Sequence, residues 1–239
     1  MGRGLGVLGC VLGLAAAACG APATEEPAAE GPAGKAPAAE VLPAAPATEA
    51  GGPALQASIH PDLPGYSFRL VGQTMEEGSE TFAATALEIR RGGEAEPVQV
   101  IEDLAIEAPT GEPSGGIEVV DMNFDGYGDL RVVEFLPAGP NVPYLNWLFD
   151  TDSERFAASP ELDEITSPIF DAATRSIRSE WRDGAATYGT HIYEVVGGRP
   201  VLVRRERRQY SEPGVYERTV SELRDGEWQV VERETARDG

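Results

Sequence analysis

Short runs of alternating or β-branched residues, separated by turn signals, recur between Tyr66 and Arg233 and limit the fold more than any other feature. A two-residue period places alternate side chains on opposite faces of a strand, whereas a helix needs a period of ~3.6 residues. A single short helix is predicted after Ser159, with Pro160 in its first turn. We therefore predict an all-β domain of antiparallel sheets. The predicted strands are Tyr66–Val71, Phe82–Ile89, Pro97–Ile101, Ile117–Val120, Leu130–Leu136, Tyr144–Phe149, Arg175–Trp181, Thr187–Val196, Val201–Tyr210, Val215–Leu223 and Trp228–Arg233.

Two segments repeat one hairpin pattern, in which an aromatic residue and an aspartate precede a short polar loop and a new strand. The first has Phe149-Asp150 before its loop, and the second has Phe170-Asp171. Aspartate opens such turns because its side chain accepts hydrogen bonds from backbone N–H groups further along the chain. Repeated hairpins predict a meander or a propeller-like arrangement of small sheets.

The first 54 residues contain no Phe, Tyr or Trp, so the packed core must lie in the rest of the chain. Residues 1–18 have the pattern of a signal peptide, with Arg3, an apolar stretch and small residues before Cys19. Residues 19–54 combine this cysteine with an Ala/Pro-rich tether, whose lack of large apolar side chains predicts disorder. Residues 55–239 then form a single β domain, which is long enough to bury one core.

Ala16-Ala-Ala-Cys19-Gly20 resembles the lipobox of bacterial lipoproteins, in which the cysteine becomes the lipidated N-terminus. The usual residue at the position of Ala16 is leucine, so ordinary signal-peptide cleavage is the alternative. A single exposed cysteine is a liability in an oxidising compartment, which favours lipidation. Gly20 is not the aspartate that retains some lipoproteins at the inner membrane. We predict a periplasmic protein with a lipid anchor at Cys19 in the outer membrane.

The chain has 40 acidic and 19 basic residues, which give a formal net charge of −21. Nucleic acids and anionic lipid surfaces both need a basic face, so this charge argues against either as a partner. No apolar run reaches the ~18 residues of a membrane-spanning helix. A basic protein is the partner that such a charge attracts.

The most specific motif is the nine-residue segment 121–129, which fits D-x-N-x-D-G-x-x-D between two predicted strands. Calcium takes roughly six to eight oxygen ligands, and carboxylate, amide and backbone oxygens converge when such a loop coils tightly. Gly126 permits the sharp turn. We predict calcium as the cofactor. The predicted ligands are the side chains of Asp121, Asn123, Asp125 and Asp129 and the carbonyl oxygen of Tyr127.

This loop is not an EF-hand, because its twelfth position is Val132 instead of glutamate and its flanks are predicted strands. Its strand-loop-strand context resembles the calcium loops of integrin-type propellers. The alternative is a polar turn of Asp, Asn and Gly without an ion. A bound ion joins two strands, so we predict a structural calcium and no catalytic metal.

The segment Gly116–Arg131 resembles the calcium segment of a family of bacterial periplasmic lipoproteins, and Tyr144–Asp150, Ser159–Ile165 and Trp181–Gly189 are similar to other parts of it. This family is typified by an immunity protein that inhibits a peptidoglycan hydrolase delivered by a type IV secretion system. The resemblance covers roughly residues 115–210. It implies a propeller-like β fold, bound calcium and inhibition of a lysozyme-like enzyme.

Periplasmic lysozyme inhibitors insert a small-residue loop ending in tyrosine into the hydrolase cleft, so the resemblance also implies a contact loop. The segment 183–188 matches, and its small residues permit close approach while its tyrosine can act as an anchor. The segment 211–216 is a second candidate. The alternative for the first is an ordinary hairpin, with its tyrosine packed on Trp181. The matching residues are Gly184, Ala185, Ala186 and Tyr188.

Three functions remain open from the sequence. The first is a calcium-stabilised inhibitor that binds a basic peptidoglycan hydrolase, and the alternative is a non-catalytic envelope-binding or structural module with calcium-stiffened β repeats. The third is an enzyme, for which His60 and His191 are the only histidines and no G-x-S-x-G nucleophile elbow occurs. We predict the inhibitor and no enzyme activity.

Overall fold

The computed structural model describes residues 52–74 and 79–238, whose regular structure consists of fifteen strands and one short helix. The strands form three antiparallel sheets in sequence order, which confirms the predicted all-β class. In two of these sheets every strand pairs with the next, as in the predicted meander. The predicted signal peptide, Cys19 and the tether up to residue 51 lie outside the described residues.

The first sheet has five strands, and its central strand pairs with two short strands along one edge. That central strand begins at Thr81, and the buried residues Phe82, Ala84, Leu87 and Ile89 supply its core face. The first strand begins at the end of the predicted tether. The strands are β1 (Ala54–Ala57), β2 (Tyr66–Thr74), β3 (Thr81–Arg91), β4 (Gln99–Ile101) and β5 (Ile106–Pro109).

The second sheet is a four-stranded meander that shares its hydrophobic core with the first. The ring of Phe156 lies 5.3 Å from that of Phe149 and 5.6 Å from that of Phe68, both edge to face. Such aromatic packing adds to the free energy gained from burial. The strands are β6 (Ile117–Val120), β7 (Asp129–Val133), β8 (Tyr144–Asp150) and β9 (Arg155–Ala158).

The third sheet is a six-stranded meander, and its first strands pack on a second hydrophobic cluster that includes Phe170, Ile177 and Met122. The predicted short helix is α1 (Pro160–Asp163), which adds Leu162 to this cluster. In the last four strands of this sheet, most residues are half-buried or exposed. The strands are β10 (Pro168–Asp171), β11 (Ser176–Asp183), β12 (Thr187–Val196), β13 (Arg199–Glu212), β14 (Val215–Arg224) and β15 (Glu227–Arg237).

Both predicted hairpins form, as β8–β9 and β10–β11. Asp150 Oδ1 accepts hydrogen bonds from the N–H groups of Asp152 and Ser153, and Asp171 Oδ1 accepts one from Ala173. Aspartate therefore opens each turn in the way the sequence pattern predicted.

Each predicted strand overlaps an observed one, but the strand predicted as Leu130–Leu136 ends at Val133. The chain leaves the sheet there and runs into the loop 134–143, where Pro137 offers no N–H for further pairing. Phe135 and Leu136 are exposed as a result.

Charged side chains hold β13, β14 and β15 together on one face. Arg218 of β14 forms ion pairs with Glu206 of β13 at 2.8 Å and with Glu232 and Glu234 of β15 at 2.6 and 3.3 Å. The side chains of Arg218 and Glu206 are only 19% and 15% exposed, so water screens this pair less than a surface pair.

The basic run 204–208 divides between the two faces of β13, as the two-residue period of a strand predicts. Arg204 and Arg208 form ion pairs with glutamates on one face, while Arg205 lies 4.2 Å above the ring of Trp228. The ion pairs are Arg204–Glu222 at 2.7 Å and Arg208–Glu206 at 2.9 Å.

We expect Arg218→Ala to lower the free energy of unfolding by about 2 kcal/mol, because it leaves the partly buried Glu206 with a single cationic partner. Hydrogen bonding from Arg218 lowers the pKa of Glu206, so the pair stabilises the fold above the ordinary carboxyl pKa and loses this effect as the pH falls through the lowered value. The difference in the free energy of unfolding between the wild type and Arg218→Ala should therefore be present at pH 7 and shrink below about pH 4.

Urea unfolding followed by circular dichroism at several pH values tests this prediction. Arg233→Ala is the matched control, because Arg233 lies on β15 and has no ion pair with any described residue. Equal stability of Arg218→Ala and wild type at pH 7 would contradict it.

Candidate functional site

The predicted calcium loop connects β6 to β7, so the predicted strand-loop-strand context is present. Gly126 has a φ of +97°, a conformation that favours glycine. The ring of Tyr127 is stacked between His60 at 4.4 Å and Phe149 at 5.7 Å. These contacts hold the loop against β8 and the segment before β2.

Side-chain oxygens of the loop turn inward and accept hydrogen bonds from its own backbone. Asp121 accepts from the N–H groups of Asp125 and Gly126 at 3.1 and 2.9 Å. Asn123 Oδ1 also accepts from Asp125, at 3.0 Å, and Asp125 Oδ1 accepts from Tyr127 at 2.9 Å. The loop therefore coils tightly around these oxygens.

Asp129 closes the loop and is completely buried. Its Oδ2 accepts a hydrogen bond from the N–H of Met122 at 2.7 Å, and its Oδ1 accepts one from Phe149 of β8 at 2.8 Å. Burial raises the pKa of Asp129 to about 7, and the negative charges of Asp125 and Asp121 raise it further. The hydrogen bonds from the two N–H groups act in the opposite direction and lower it. Burial also raises the pKa of Asp121.

The donor chemistry of this loop fits a calcium ion, because four side chains and one backbone carbonyl offer oxygen atoms within nine residues. Within residues 52–74 and 79–238, no group of three or more His, Cys, Asp or Glu side chains is arranged to hold a metal ion. Calcium binding therefore stays a prediction. The residues that would hold the ion are Asp121, Asn123, Asp125, Tyr127 and Asp129.

The predicted contact loop is the turn between β11 and β12, and its tip consists of Gly184, Ala185 and Ala186. Gly184 has a φ of +69°, and no heavy atom lies within 4 Å of where its Cβ would be. Tyr188 is the second residue of β12, so it lies in the sheet beside the turn instead of at the tip.

The ring of Tyr188 is half-buried and contacts two side chains of neighbouring strands. It meets the ring of Tyr210 edge to face at 5.5 Å, and the guanidinium of Arg182 lies 5.1 Å from its centre. Trp181 lies instead across Gly189, where a Cβ would come within 2.1 Å of the indole. Packing of Tyr188 on Trp181, the alternative from the sequence, is therefore not observed.

Three tyrosines form a row across β12, β13 and β14, and we call Tyr188, Tyr210 and Tyr216 the tyrosine row. Tyr210 lies directly opposite Tyr216 in the sheet, and their ring centres are 5.1 Å apart. Arg208 lies 5.6 Å from the ring of Tyr216, as Arg182 lies over Tyr188. Each end of the row is thus covered by an arginine.

The two candidate contact loops, 183–188 and 211–216, meet at one end of the third sheet. The meander places alternate turns at the same end, and the N–H of Tyr210 donates to the carbonyl of Ala186 at 2.8 Å. The sequence patterns do not indicate that the two loops meet, or that Tyr210 and Arg182 lie beside Tyr188. The signal that points to Tyr210 is its position just before the 211–216 segment, which ends in another tyrosine.

Two cavities border the tyrosine row, and Tyr188 lines both. The tip cavity, of about 430 Å³, opens between the two hairpin tips, and the face cavity, of about 350 Å³, lies over β11 to β13. Other residues of the tip cavity are Ala185, Ala186, Tyr210, Glu212, Pro213 and Asp238. Others of the face cavity are Pro140, Glu180, Arg182, Thr190, Glu206 and Arg208.

Comparison with known proteins shows similarity of fold. No family model matches the sequence, and no curated protein matches it significantly. The fold is similar to a solved structure described as "Structure of a Xanthomonas Type IV Secretion System related protein", with a TM-score of 0.56 and 20% identity over 75% of this chain and 93% of that one. Among the described residues, no helix is long and apolar enough to cross a membrane.

Proposed function

We propose that this protein is a non-catalytic, lipid-anchored periplasmic inhibitor of a lysozyme-like peptidoglycan hydrolase. The observation that carries this proposal is the hairpin tip of Gly184, Ala185 and Ala186, which stands beside a tyrosine fixed by its neighbours. The description of the structural neighbour as a protein related to type IV secretion supports the same context. Cys19 would supply the anchor, in the outer membrane.

The hairpin can act as a contact loop because it combines a thin tip with a rigid anchor. A glycine and two alanines carry little side chain, so the partner's surface can approach the backbone closely. Tyr188 is held by Tyr210 and Arg182, so binding costs little side-chain entropy there. Buried aromatic anchors of this kind carry most of the energy of many protein interfaces.

Net charge supports a basic partner and a fast encounter. The chain carries a formal charge of −21, which attracts basic proteins at low ionic strength and accelerates their association.

Lysis of purified peptidoglycan by a panel of lysozymes and secreted hydrolases, with and without the protein and in calcium, tests the proposal. We expect stoichiometric protection against at least one hydrolase, and loss of that protection in Tyr188→Ala. Lack of protection against every hydrolase would contradict the inhibitor function. If the protein instead sediments with insoluble peptidoglycan and without hydrolase, the envelope-binding module is the better interpretation.

Calcium is part of this proposal as a structural ion at the 121–129 loop. At about 100 times its dissociation constant, an ion that binds only the folded state adds ~2.7 kcal/mol to the free energy of unfolding. We therefore expect a chelator to lower the melting temperature by roughly 5–10 °C. Asp125→Ala should melt at the lower temperature with and without calcium.

Differential scanning calorimetry measures this effect. Asp152→Ala is the matched control, because Asp152 is an exposed aspartate of the β8–β9 turn, and it should keep the full response to calcium. An identical melting temperature of the wild type in calcium and in chelator would contradict calcium binding.

A further inference from the structure

We propose that the tip cavity accepts an arginine or lysine side chain of the inhibited hydrolase, an inference that rests on the proposed function. It identifies a second contact, formed by the 211–216 turn and the end of β15, in addition to the hairpin tip at 183–188.

Hydrogen bonds among three separate chain segments hold the cavity walls together. The N–H of Tyr210 donates to Ala186 of the first hairpin, at 2.8 Å. The N–H of Asp238 donates to Gly214 of the second hairpin at 2.9 Å, and the hydroxyl of Tyr210 donates to Asp238 Oδ1 at 2.9 Å. The cavity is therefore formed before a partner arrives, which reduces the entropic cost of binding.

The two cavities differ in charge, although they share Tyr188. The described lining of the tip cavity has two carboxylates, Glu212 and Asp238, and no lysine or arginine. The face cavity has two arginines with its two glutamates, and one of each forms an ion pair at 2.9 Å. Of these two cavities, the tip cavity is therefore the one whose described lining has negative charge and no cation.

A cationic side chain matches both the negative charge and the aromatic lining of the tip cavity. Its charge is complementary to Glu212 and Asp238, which can accept charge-assisted hydrogen bonds. The ring of Tyr210 attracts a cation at its face, and arginine also stacks on such rings. The negative charge of the whole chain selects basic partners, whose surfaces supply such side chains.

The double variant Glu212→Gln/Asp238→Asn removes both charges, keeps the size of the side chains and leaves one acceptor oxygen on each. The probe is a basic c-type lysozyme. We expect the dissociation constant of its complex with the full-length double variant to be about 10-fold higher than that of its complex with the wild type. Glu217→Gln is the matched control, because Glu217 follows Tyr216 in β14 and so points to the opposite face. It should change the constant by less than about 2-fold.

A second experiment is independent of inhibition. N-acetyl-argininamide, titrated into the isotopically labelled full-length protein, should shift the amide resonances of Ala186 and Tyr210 and leave that of Glu217 unchanged. These shifts should disappear in the double variant. Their absence in the wild type, or their persistence in the double variant, would overturn the inference.

The two proposals fail separately. If Tyr188→Ala abolishes protection while the double variant binds like wild type, the cavity assignment is wrong and the inhibitor function stands. If no hydrolase is inhibited while argininamide binds in the cavity, the cation site is correct and the hydrolase is the wrong partner.

Discussion

Asp129→Ala should lower the free energy of unfolding by about 4 kcal/mol and the melting temperature by roughly 10 °C. Asp129 is completely buried, and its two oxygens accept hydrogen bonds from the N–H groups of Met122 and Phe149. Alanine leaves both donors in the interior without their acceptor. Each such orphaned group costs about 1–3 kcal/mol, which is more than the hydrogen bond itself contributes.

The loss of these two acceptors can be separated from the loss of a calcium ligand. In chelator no ion stabilises the wild type, so the difference in the free energy of unfolding between the wild type and Asp129→Ala then measures only the two lost acceptors. Asp129→Asn should recover part of the loss, since the amide oxygen replaces one acceptor while its NH₂ group faces the other donor.

Asp152→Ala, in an exposed turn, serves as the control and should change stability by less than about 0.5 kcal/mol. Urea and thermal unfolding of the four proteins measure the series. A melting temperature of Asp129→Ala equal to that of the wild type would mean that Asp129 does not connect β7 and its loop to β8.

The sequence predicts the strands of the third sheet well, because their signals are local. Thr187–Val196 begins and ends as predicted, and turns that contain glycine or proline separate β12, β13, β14 and β15 from one another. By contrast, β1 and β5 are four-residue strands whose sequences, ALQA and IEAP, carry no such signal. They exist because β2 and β3 offer free edges for pairing, which is information from distant parts of the chain.

The candidate site shows the same contrast between features that depend on local sequence and features that depend on distant parts of the chain. The spacing of 121–129 and the small residues of 183–188 are visible in the sequence, because each feature lies within one segment. The contact between Tyr188 and Tyr210 is not, because it depends on the register of β12 against β13. A shift of that register by one residue would place the two rings on opposite faces of the sheet.

Tyr188→Ala should weaken binding of the inhibited hydrolase about 100-fold and leave the melting temperature within a few degrees of the wild type. Removal of an aromatic anchor from the centre of an interface costs ≥ ~2 kcal/mol in binding, and about 2.7 kcal/mol corresponds to 100-fold. The effect on folding should be small because the ring is only half-buried, at the outer end of the third sheet.

Two further variants separate the anchor from its surroundings. Tyr188→Phe keeps the contacts with Tyr210 and Arg182 and removes only the hydroxyl, so it measures the contribution of any hydrogen bond to the partner. Tyr144→Ala is the matched control, because the ring of Tyr144 also carries an arginine, Arg131 at 4.3 Å, but lies on β8 in another sheet. Titration of each variant against a fixed amount of hydrolase gives its inhibition constant. If Tyr144→Ala weakens inhibition as much as Tyr188→Ala does, the loss reflects general destabilisation, and the contact surface does not lie at the β11–β12 hairpin.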